Sequence, residues 1–389
     1  MHIIIVSRVL PHHSIGGMQV ITWDLAKQFA KQGLEVTCLT TTIPGFSEHF
    51  IEDGVSVVAL DNTTPGKHSR YWWKSSKRYI EENHLNNCDV LVSVSAAGFE
   101  ILKLKSKMKN TIFIFQGHGT SLSEIISKIK LHTLKSLLSI VKNIKWLPID
   151  LIKYKNFDGI VAAGERVNRD FSSKFYSFFF KNSKVKYIPN GINSSEFKPS
   201  LSFRNEIRQL LKLNNNEFVI LVASRLYRQK GIEKAIDAFN KYLSINSAKL
   251  LILGTGPYEE EAKKKVQDLG LYEDVIFNGA VSIKDLTKYI NASDVYLFPT
   301  LHEEGLPLLP LEALACGVPV IASNHLKEIC GCSDKVFPIE PRNIDSIISN
   351  LDKAKTVKAG NISFLPEIYT IEGVADQYVK FFMELKNEK

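Results

Sequence analysis

Apolar and polar positions follow two rhythms along this chain, and the switches between them outline its elements. Residues 2–6, HIIIV, form a short β-branched run that predicts a buried strand. A loop ending in Gly16-Gly17 follows, after which Val20, Trp23, Ala26, Phe29 and Ala30 recur at helical spacing. That helix is expected to stop at Gly33, and EVTCL predicts the next strand, completing a βαβ unit. Asp89–Val94 and Thr111–Phe115 predict further strands. The second half alternates more cleanly. Strand FVILVA (218–223), helix Ile232–Tyr242 and strand KLLILG come first, then strand VIF, helix Ile283–Asn291, strand VYLFP, helix Leu308–Ala315 and strand VPVIA. Gly317, just past that last helix, is the expected left-handed stop.

Strands alternating with helices throughout predict an α/β protein of two doubly wound, Rossmann-like domains facing across a cleft. A length of 389 residues suits two domains. The boundary is expected at IPNGIN (188–193), where a strand end meets Pro-Asn-Gly turn chemistry. Residues 1–193 then form the first domain and 194–365 the second, and 366–389 forms a helix returning to the first. Open α/β sheets bind ligands beyond the carboxyl ends of their strands, so the active site is expected between the halves.

Composition narrows the class. With 44% hydrophobic and 23% charged residues the chain is neither disordered nor collagenous. No uncharged apolar run approaches the ~18–20 residues that span a bilayer, and MHIIIVSRVLPHH has no secretory signature. Five cysteines (Cys38, Cys88, Cys316, Cys330, Cys332) without a CxxC pair support neither a disulfide framework nor a zinc site, which predicts reduced thiols and a cytoplasmic location. The net charge of +8 is uneven: residues 1–193 carry 25 Lys+Arg and 15 Asp+Glu, or +10, and the remainder carries 24 and 26, or −2. Within the first half, 121–155 has seven lysines against Glu124 and Asp150. They interleave with Leu131, Leu134, Leu137, Leu138, Ile140, Val141, Ile144, Trp146 and Leu147 at helical spacing. A basic amphipathic helix of this kind suits an anionic membrane surface, although it equally suits a packed stripe with solvated lysines.

Three constellations carry candidate chemistry. In PTLHEEGLPLLPLEALACGVPVIAS, Glu304 lies in a loop after a strand and Glu312 falls eight residues later, well inside the next helix. Carboxylates accept charge-assisted hydrogen bonds from sugar or ribose hydroxyls, and the helix N-terminus offers amides and dipole to a phosphate. Pro307 suits the first helical turn. In SRLYRQKG, Arg225 and Lys230 lie between a strand and a helix, where they can neutralise a diphosphate. In FIFQGHGTS, His118 follows a strand between two glycines, placed to act as acid, base or hydrogen-bond donor.

Other motifs exclude chemistry. Gly16-Gly17 precedes a helix and could admit a phosphate, but no acidic residue follows the next strand, which argues against NAD or FAD. Gly254-Thr-Gly256-Pro is no Walker A loop. No Asp-x-Asp pair is available to anchor a divalent ion, and His12-His13 lack partners for a metal set, so no metal and no cofactor are expected. The aromatics Phe171, Phe175, Tyr176, Phe178, Phe179 and Phe180 are read as core or interface, and nucleic acid is not an expected partner.

These residues together resemble a GT-B glycosyltransferase of the retaining family 4. The most specific segment is EGLPLLPLEALACGVPVIAS, an E-x7-E motif. SRLYRQKG, LLILGTGP, IPNGINSSEFKP and GGMQVITWDLAKQFAKQGLEVTCLT support it. The resemblance implies that Glu304 contacts donor-sugar hydroxyls, Glu312 the nucleotide ribose, and Arg225 and Lys230 the diphosphate. It implies that Gly16 and Gly17 close over the donor and that His118 touches the donor sugar or assists the acceptor. Gly254, Gly256, Gly305, Leu306 and Leu308 are implied around the donor as well. The chain departs from many members by carrying Leu306-Pro307 where they have Phe-Gly, so a phosphate must use amides such as that of Leu308. A hexosyl unit would pass from a UDP- or GDP-sugar to an acceptor, by the family's example a lipid-linked saccharide of surface polysaccharide synthesis (lipopolysaccharide, O-antigen or capsule). The enzyme would then sit in the cytoplasm, peripheral to the inner membrane face. A nucleotide-sugar epimerase or phosphorylase, a soluble-acceptor transferase and a non-catalytic sugar-nucleotide binder are the alternatives on the same scaffold.

Overall fold

Strands that are apolar on both faces organise each half of the chain, as expected where helices cover both sides of a sheet. The structure is a computed structural model that describes residues 1–14, 16–130, 134–180, 183–302 and 304–389; the side chains of 123, 127, 128, 130, 134–139, 141 and 142 are also outside the description. The chain divides into two units, Met1–Gly191 with Ile371–Lys389, and Ile192–Thr370.

The first unit contains β1 (His2–Val6), β2 (Glu35–Thr41), β3 (His49–Glu52), β4 (Val55–Leu60), β5 (Val90–Val94), β6 (Ile112–Gly117), β7 (Gly159–Ala162) and β8 (Lys184–Tyr187). Their order in the sheet is β3-β4-β2-β1-β5-β6-β7-β8, parallel except for the β3–β4 hairpin at one edge. Because side chains alternate along a strand, Ile3, Ile5, Val36, Cys38, Val90 and Val92 pack on one face. Ile4, Val6, Leu39, Leu91, Phe113 and Phe115 pack on the other. The helix Gly17–Lys31 and the C-terminal helix Ile371–Asn387 cover the first of these faces, where Phe29 lies 6.1 Å from Tyr378 and 6.0 Å from Phe382 between ring centroids. Gln116 Nε2 donates to the Tyr378 hydroxyl at 2.8 Å, and Lys386 pairs with Asp89 at 2.6 Å. The last helix is thus part of the first unit's core.

The second unit contains β9 (Val219–Ala223), β10 (Lys249–Leu253), β11 (Val275–Gly279), β12 (Val295–Phe298), β13 (Val320–Ser323) and β14 (Val336–Ile339). They form a parallel sheet in the order β11-β10-β9-β12-β13-β14. Val219, Leu221, Leu251, Tyr296 and Val320 face Leu311 and Leu314 of the helix Leu308–Ala315. Ile220, Val222, Leu250, Ile252 and Leu297 face Ile236 and Phe239 of the helix Ile232–Leu243. Gly317 has φ +72°, the left-handed stop expected of it.

The strand orders carry functional meaning. Each reverses direction at one place, between β1 and β5 in the first sheet and between β9 and β12 in the second. At such switch points the connecting loops diverge and leave a crevice beyond the strand ends.

The stretch 121–155 forms two helices, Ser121–Lys130 and Leu134–Tyr154, the second with Pro148 inside it. Ile144, Ile149 and Ile152 are exposed, as is Lys145. Leu131 and the side chains of Lys128, Lys135, Lys142, Leu134, Leu137, Leu138 and Val141 lie outside the described residues. The aromatic run 171–180 divides by helix phase: Phe171, Tyr176 and Phe180 are buried, whereas Phe175 and Phe178 are exposed. The buried three are core, and Phe175 and Phe178 are left to the interface half of the expectation.

Candidate functional site

In the second unit, three loops that follow β9, β10 and β12 are tied together at the switch point. After β9 the chain turns through a short 3₁₀ segment, Arg228–Lys230, to Gly231 and the helix Ile232–Leu243. Gly231 has φ +73°, and a Cβ placed there would stand 1.9 Å from the carbonyl oxygen of Pro299 in the β12 loop. After β10, Gly254 has φ +118° and would collide with the carbonyl of Ser224, while Gly256 lies against Leu226 in the same way. What demands glycine at 254 and 256 is therefore the approach of two backbones. Amide bonds complete the clamp: Leu226 N–H donates to Thr255 O at 2.9 Å and Leu301 N–H to Gln229 O at 2.8 Å.

This clamp sets Lys230 beside Glu304. The ammonium donates to both carboxylate oxygens at 2.8 Å, and Thr300 Oγ1 donates to one of them at 2.8 Å. The pair is mostly shielded, with side chains 16% and 18% exposed. Lys230 Nζ also lies 5.5 Å from the centre of the Phe298 ring. Arg225 is exposed after β9, stacked 5.5 Å from Tyr227, and has no carboxylate partner among the described residues. The arrangement is one lysine–carboxylate couple held by Thr300, with a second, exposed cation on the loop that follows β9.

Glu312 occupies the fifth position of the helix Leu308–Ala315 and is 8% exposed. The buried Tyr296 hydroxyl donates to Ala223 O at 2.8 Å. Burial first, then the fields of Glu312 and Glu304, raise its pKa well above the usual phenol value. Pro307 is the residue before the helix and not its first turn, as its extended φ −70°, ψ 137° shows. Leu308 and Leu309 start the helix with free amides, and Pro310 contributes none. Leu306 is buried in the core and Gly305 is exposed with open space around its Cα.

The first unit holds the remaining predicted residues. Gly16 precedes the helix Gly17–Lys31 in extended geometry with no side-chain cap, which leaves that N-terminus to its own amides. His118 follows β6. Burial pushes its pKa down to about 4, so the imidazole is neutral near pH 7. Its Nε2 is shielded from solvent and has no hydrogen-bond partner among the described residues. A neutral ring of that kind suits hydrogen bonding better than proton abstraction. His12 and His13 are held by Glu52 and Thr41, with His12 packed edge-on against Trp23, Phe46 and Phe50. The five cysteines are unpaired, and burial raises the Cys38, Cys88 and Cys316 thiols to about 12.

Sequence reasoning missed a second group in this unit. Asp150 is 5% exposed, its carboxylate accepts from Ser121 Oγ at 2.5 Å, and burial lifts its pKa to about 6 against the hydrogen bonds of Ser121 and Tyr154. A carboxyl with a raised pKa holds its proton more tightly folded than unfolded. It therefore costs stability as pH rises from 3.8 through about 6. Asp150→Asn is expected to stabilise the protein at pH 8 by about 2 kcal/mol, with the gain vanishing near pH 4. Urea titrations at the two pH values measure it.

Comparison with known proteins fits this geometry. The family described as Glycosyltransferase Family 4 matches residues 15–196, and that described as Glycosyl transferases group 1 matches 203–357. A GDP-mannose-dependent alpha-(1-6)-phosphatidylinositol monomannoside mannosyltransferase of Mycobacterium tuberculosis is 33% identical over 39% of this chain and 41% of its own. A UDP-Gal:alpha-D-GlcNAc-diphosphoundecaprenol alpha-1,3-galactosyltransferase of Escherichia coli is 32% identical over 46% of this chain and 47% of its own. The matched segments thus span less than half of these relatives. Sucrose-phosphate synthase from Thermosynechococcus elongatus shares the fold over 100% of both chains, with a TM-score of 0.74 at 18% identity. Matched in both halves and sharing that two-sheet GT-B architecture, the chain belongs to the family 4 type of glycosyltransferase.

Proposed function

We propose that the protein transfers a hexosyl unit from a UDP- or GDP-sugar to an acceptor hydroxyl with retention of anomeric configuration. The observation that carries this reading is the Lys230–Glu304–Thr300 arrangement at the β9/β12 switch point, with Arg225 on the loop after β9 and Glu312 on the helix after β12. In the reaction the bond from the anomeric carbon to the donor phosphate breaks and a bond to the acceptor oxygen forms on the same face. The acceptor proton leaves with the departing diphosphate. Lys230 and Arg225 neutralise the charge that grows on that diphosphate, aided by the amides of Leu308 and Leu309. Glu304 holds the donor-sugar hydroxyls and Glu312 the ribose, each accepting charge-assisted hydrogen bonds. Gly16 and Gly17 leave room for the donor, and neutral His118 hydrogen-bonds the sugar.

Nucleotide binding tests the reading. UDP or GDP at a hundred times Kd stabilises the native state by about 2.7 kcal/mol, read as a rise in unfolding temperature; failure of every nucleotide and nucleotide sugar to shift it defeats the proposal. Cations supplied by side chains make a metal dispensable, so EDTA is expected to leave the transfer rate within about twofold. Strict dependence on Mg²⁺ or Mn²⁺ contradicts that.

The acceptor we propose is a lipid-linked saccharide of surface polysaccharide synthesis, presented at the inner face of the cytoplasmic membrane. The relatives that act on phosphatidylinositol monomannoside and diphosphoundecaprenol substrates support it, as does the +10 charge of residues 1–193. So do the exposed Ile144, Ile149, Ile152, Phe175 and Phe178 of the first unit, with Lys145, Lys155 and Lys174 exposed among them. No helix among the described residues is long and apolar enough to cross a membrane. The protein is expected to sediment with anionic liposomes at low salt and to be released as salt screens the lysines. Phe178→Ser with Ile152→Ser should release it further. Failure to sediment at low salt favours a soluble acceptor.

A further inference from the structure

The loop that carries Glu304 has few backbone ties of its own. Between the end of β12 and the helix Leu308–Ala315, residues 299–307 make one backbone–backbone hydrogen bond among the described residues, from Leu301 N–H to Gln229 O. A loop of this kind takes its path from the side chains that reach its amides and carbonyls.

Those side chains come from the end of β13. β12 and β13 are parallel neighbours, with Phe298 beside Ala322, so their loops leave the sheet side by side. Ser323, fully buried, donates from Oγ to Thr300 O at 2.8 Å. Two residues on, His325 Nε2 lies 2.9 Å from His302 O. A carbonyl can only accept, so Nε2 carries the proton and the imidazole is the donor. Thr300 in turn directs its own hydroxyl to Glu304 at 2.8 Å. Donors from β13 thus hold the carbonyls at 300 and 302, on the approach to the site carboxylate.

The histidine is itself firmly placed. Leu326 N–H donates to Ser323 O at 2.9 Å, closing a turn around Asn324 and His325, and Asn324 N–H donates to Ile339 O of β14 at 2.7 Å. Leu326 is buried in the core, and the short helix Lys327–Cys330 follows at once. A ring on a turn pinned in this way holds a neighbouring carbonyl more closely than one on a free loop. The bond to His302 is the ring's one hydrogen bond among the described residues.

We propose that His325 is a positioning residue for Glu304: its Nε2–H fixes the His302 carbonyl, and with it the path by which the loop presents Glu304 to the donor sugar. The inference rests on the transferase reading, which gives Glu304 that sugar. His325 acts through the backbone, so its effect falls on recognition of the sugar and not of the nucleotide.

Two substitutions separate the hydrogen bond from the bulk of the ring. His325→Leu removes the donor at similar size, whereas His325→Gln returns an amide N–H at about the reach of Nε2. His325→Leu is expected to speed amide hydrogen exchange at Leu301 and His302, and His325→Gln to leave it as in the wild type. Calorimetry with UDP, GDP, UDP-glucose, UDP-galactose, UDP-N-acetylglucosamine and GDP-mannose gives the ratio of nucleotide-sugar to nucleotide affinity. For the donor that the wild type binds, this ratio is expected to fall about tenfold in His325→Leu and to recover in His325→Gln, with the bare nucleotide bound as before. Should His325→Leu fail to fold, as its unfolding temperature reports, His325→Ala carries the same expectation. Unchanged exchange, an unchanged ratio, or equal losses in the leucine and glutamine variants overturns the proposal. A wild-type protein that binds no nucleotide and no nucleotide sugar defeats the transferase reading and this inference together. A donor that the wild type and His325→Leu recognise equally well defeats this inference alone.

Discussion

Alanine at Lys230 or Glu304 is expected to lower glycosyl transfer by about 10²–10³-fold with the fold retained. The two side chains meet as a couple 2.8 Å apart, and each is mostly shielded from water. Removing Lys230 takes away the cation that the proposal sets against the departing diphosphate and leaves Glu304 held, among the described residues, by Thr300. Removing Glu304 frees the ammonium and deletes the acceptor for the sugar's hydroxyls. Because Lys230 is proposed to act on charge that develops during bond breakage, its loss should fall mainly on kcat, whereas loss of Glu304, which holds the sugar and positions Lys230, should fall on both kcat and KM. The double variant is expected to be little worse than the more damaging single one, as befits residues acting as a unit. Circular dichroism and the unfolding temperature check the fold. Turnover unchanged in both single variants removes this couple from the mechanism.

A larger effect on stability is expected at a residue with no chemistry of its own. Gly231→Ala puts a Cβ 1.9 Å from the Pro299 carbonyl oxygen at φ +73°, where an L side chain is already strained. Rotating the residue out of the left-handed region breaks the turn into the helix Ile232–Leu243, and moving Pro299 displaces the β12 loop that carries Glu304. The expected cost is about 4 kcal/mol, measured by denaturant unfolding, together with loss of transfer. Gly270→Ala is the control. It shares a positive φ, +70°, but its Cβ would meet nothing within 4 Å, so only the backbone preference is lost. Similar costs at 231 and 270 mean that the close approach of the two loops does not hold the site.

How much of this was legible in the sequence depends on whether the signal was local. The helix Leu308–Ala315 and its Gly317 stop are set by short-range periodicity and turn chemistry, and both lie where the pattern puts them. The β3–β4 hairpin and strands β7, β8 and β14 gave no comparable signal. β3 is a short edge strand with mostly exposed side chains, and β14 carries Pro338 at its third position. Glu304, Glu312, Arg225 and Lys230 were readable as candidates from residue type and loop position. That Lys230 and Glu304 touch across 74 residues was not, because the sheet order that makes β9 and β12 neighbours appears nowhere in local pattern. Which rings of the aromatic run 171–180 are core and which are exposed was not readable, because composition carries no helix phase.

The measurement that tests the central claim most directly is the anomeric configuration of the product. Purified protein is incubated with ¹³C-labelled UDP- and GDP-hexoses and a panel of lipid-linked and soluble saccharide acceptors, and the reaction is followed by NMR. The account predicts a new glycosidic linkage with the donor's own α configuration, formed in EDTA and lost in Lys230→Ala. An isomerised sugar nucleotide without acceptor, or a β-linked product from an α-linked donor, contradicts it.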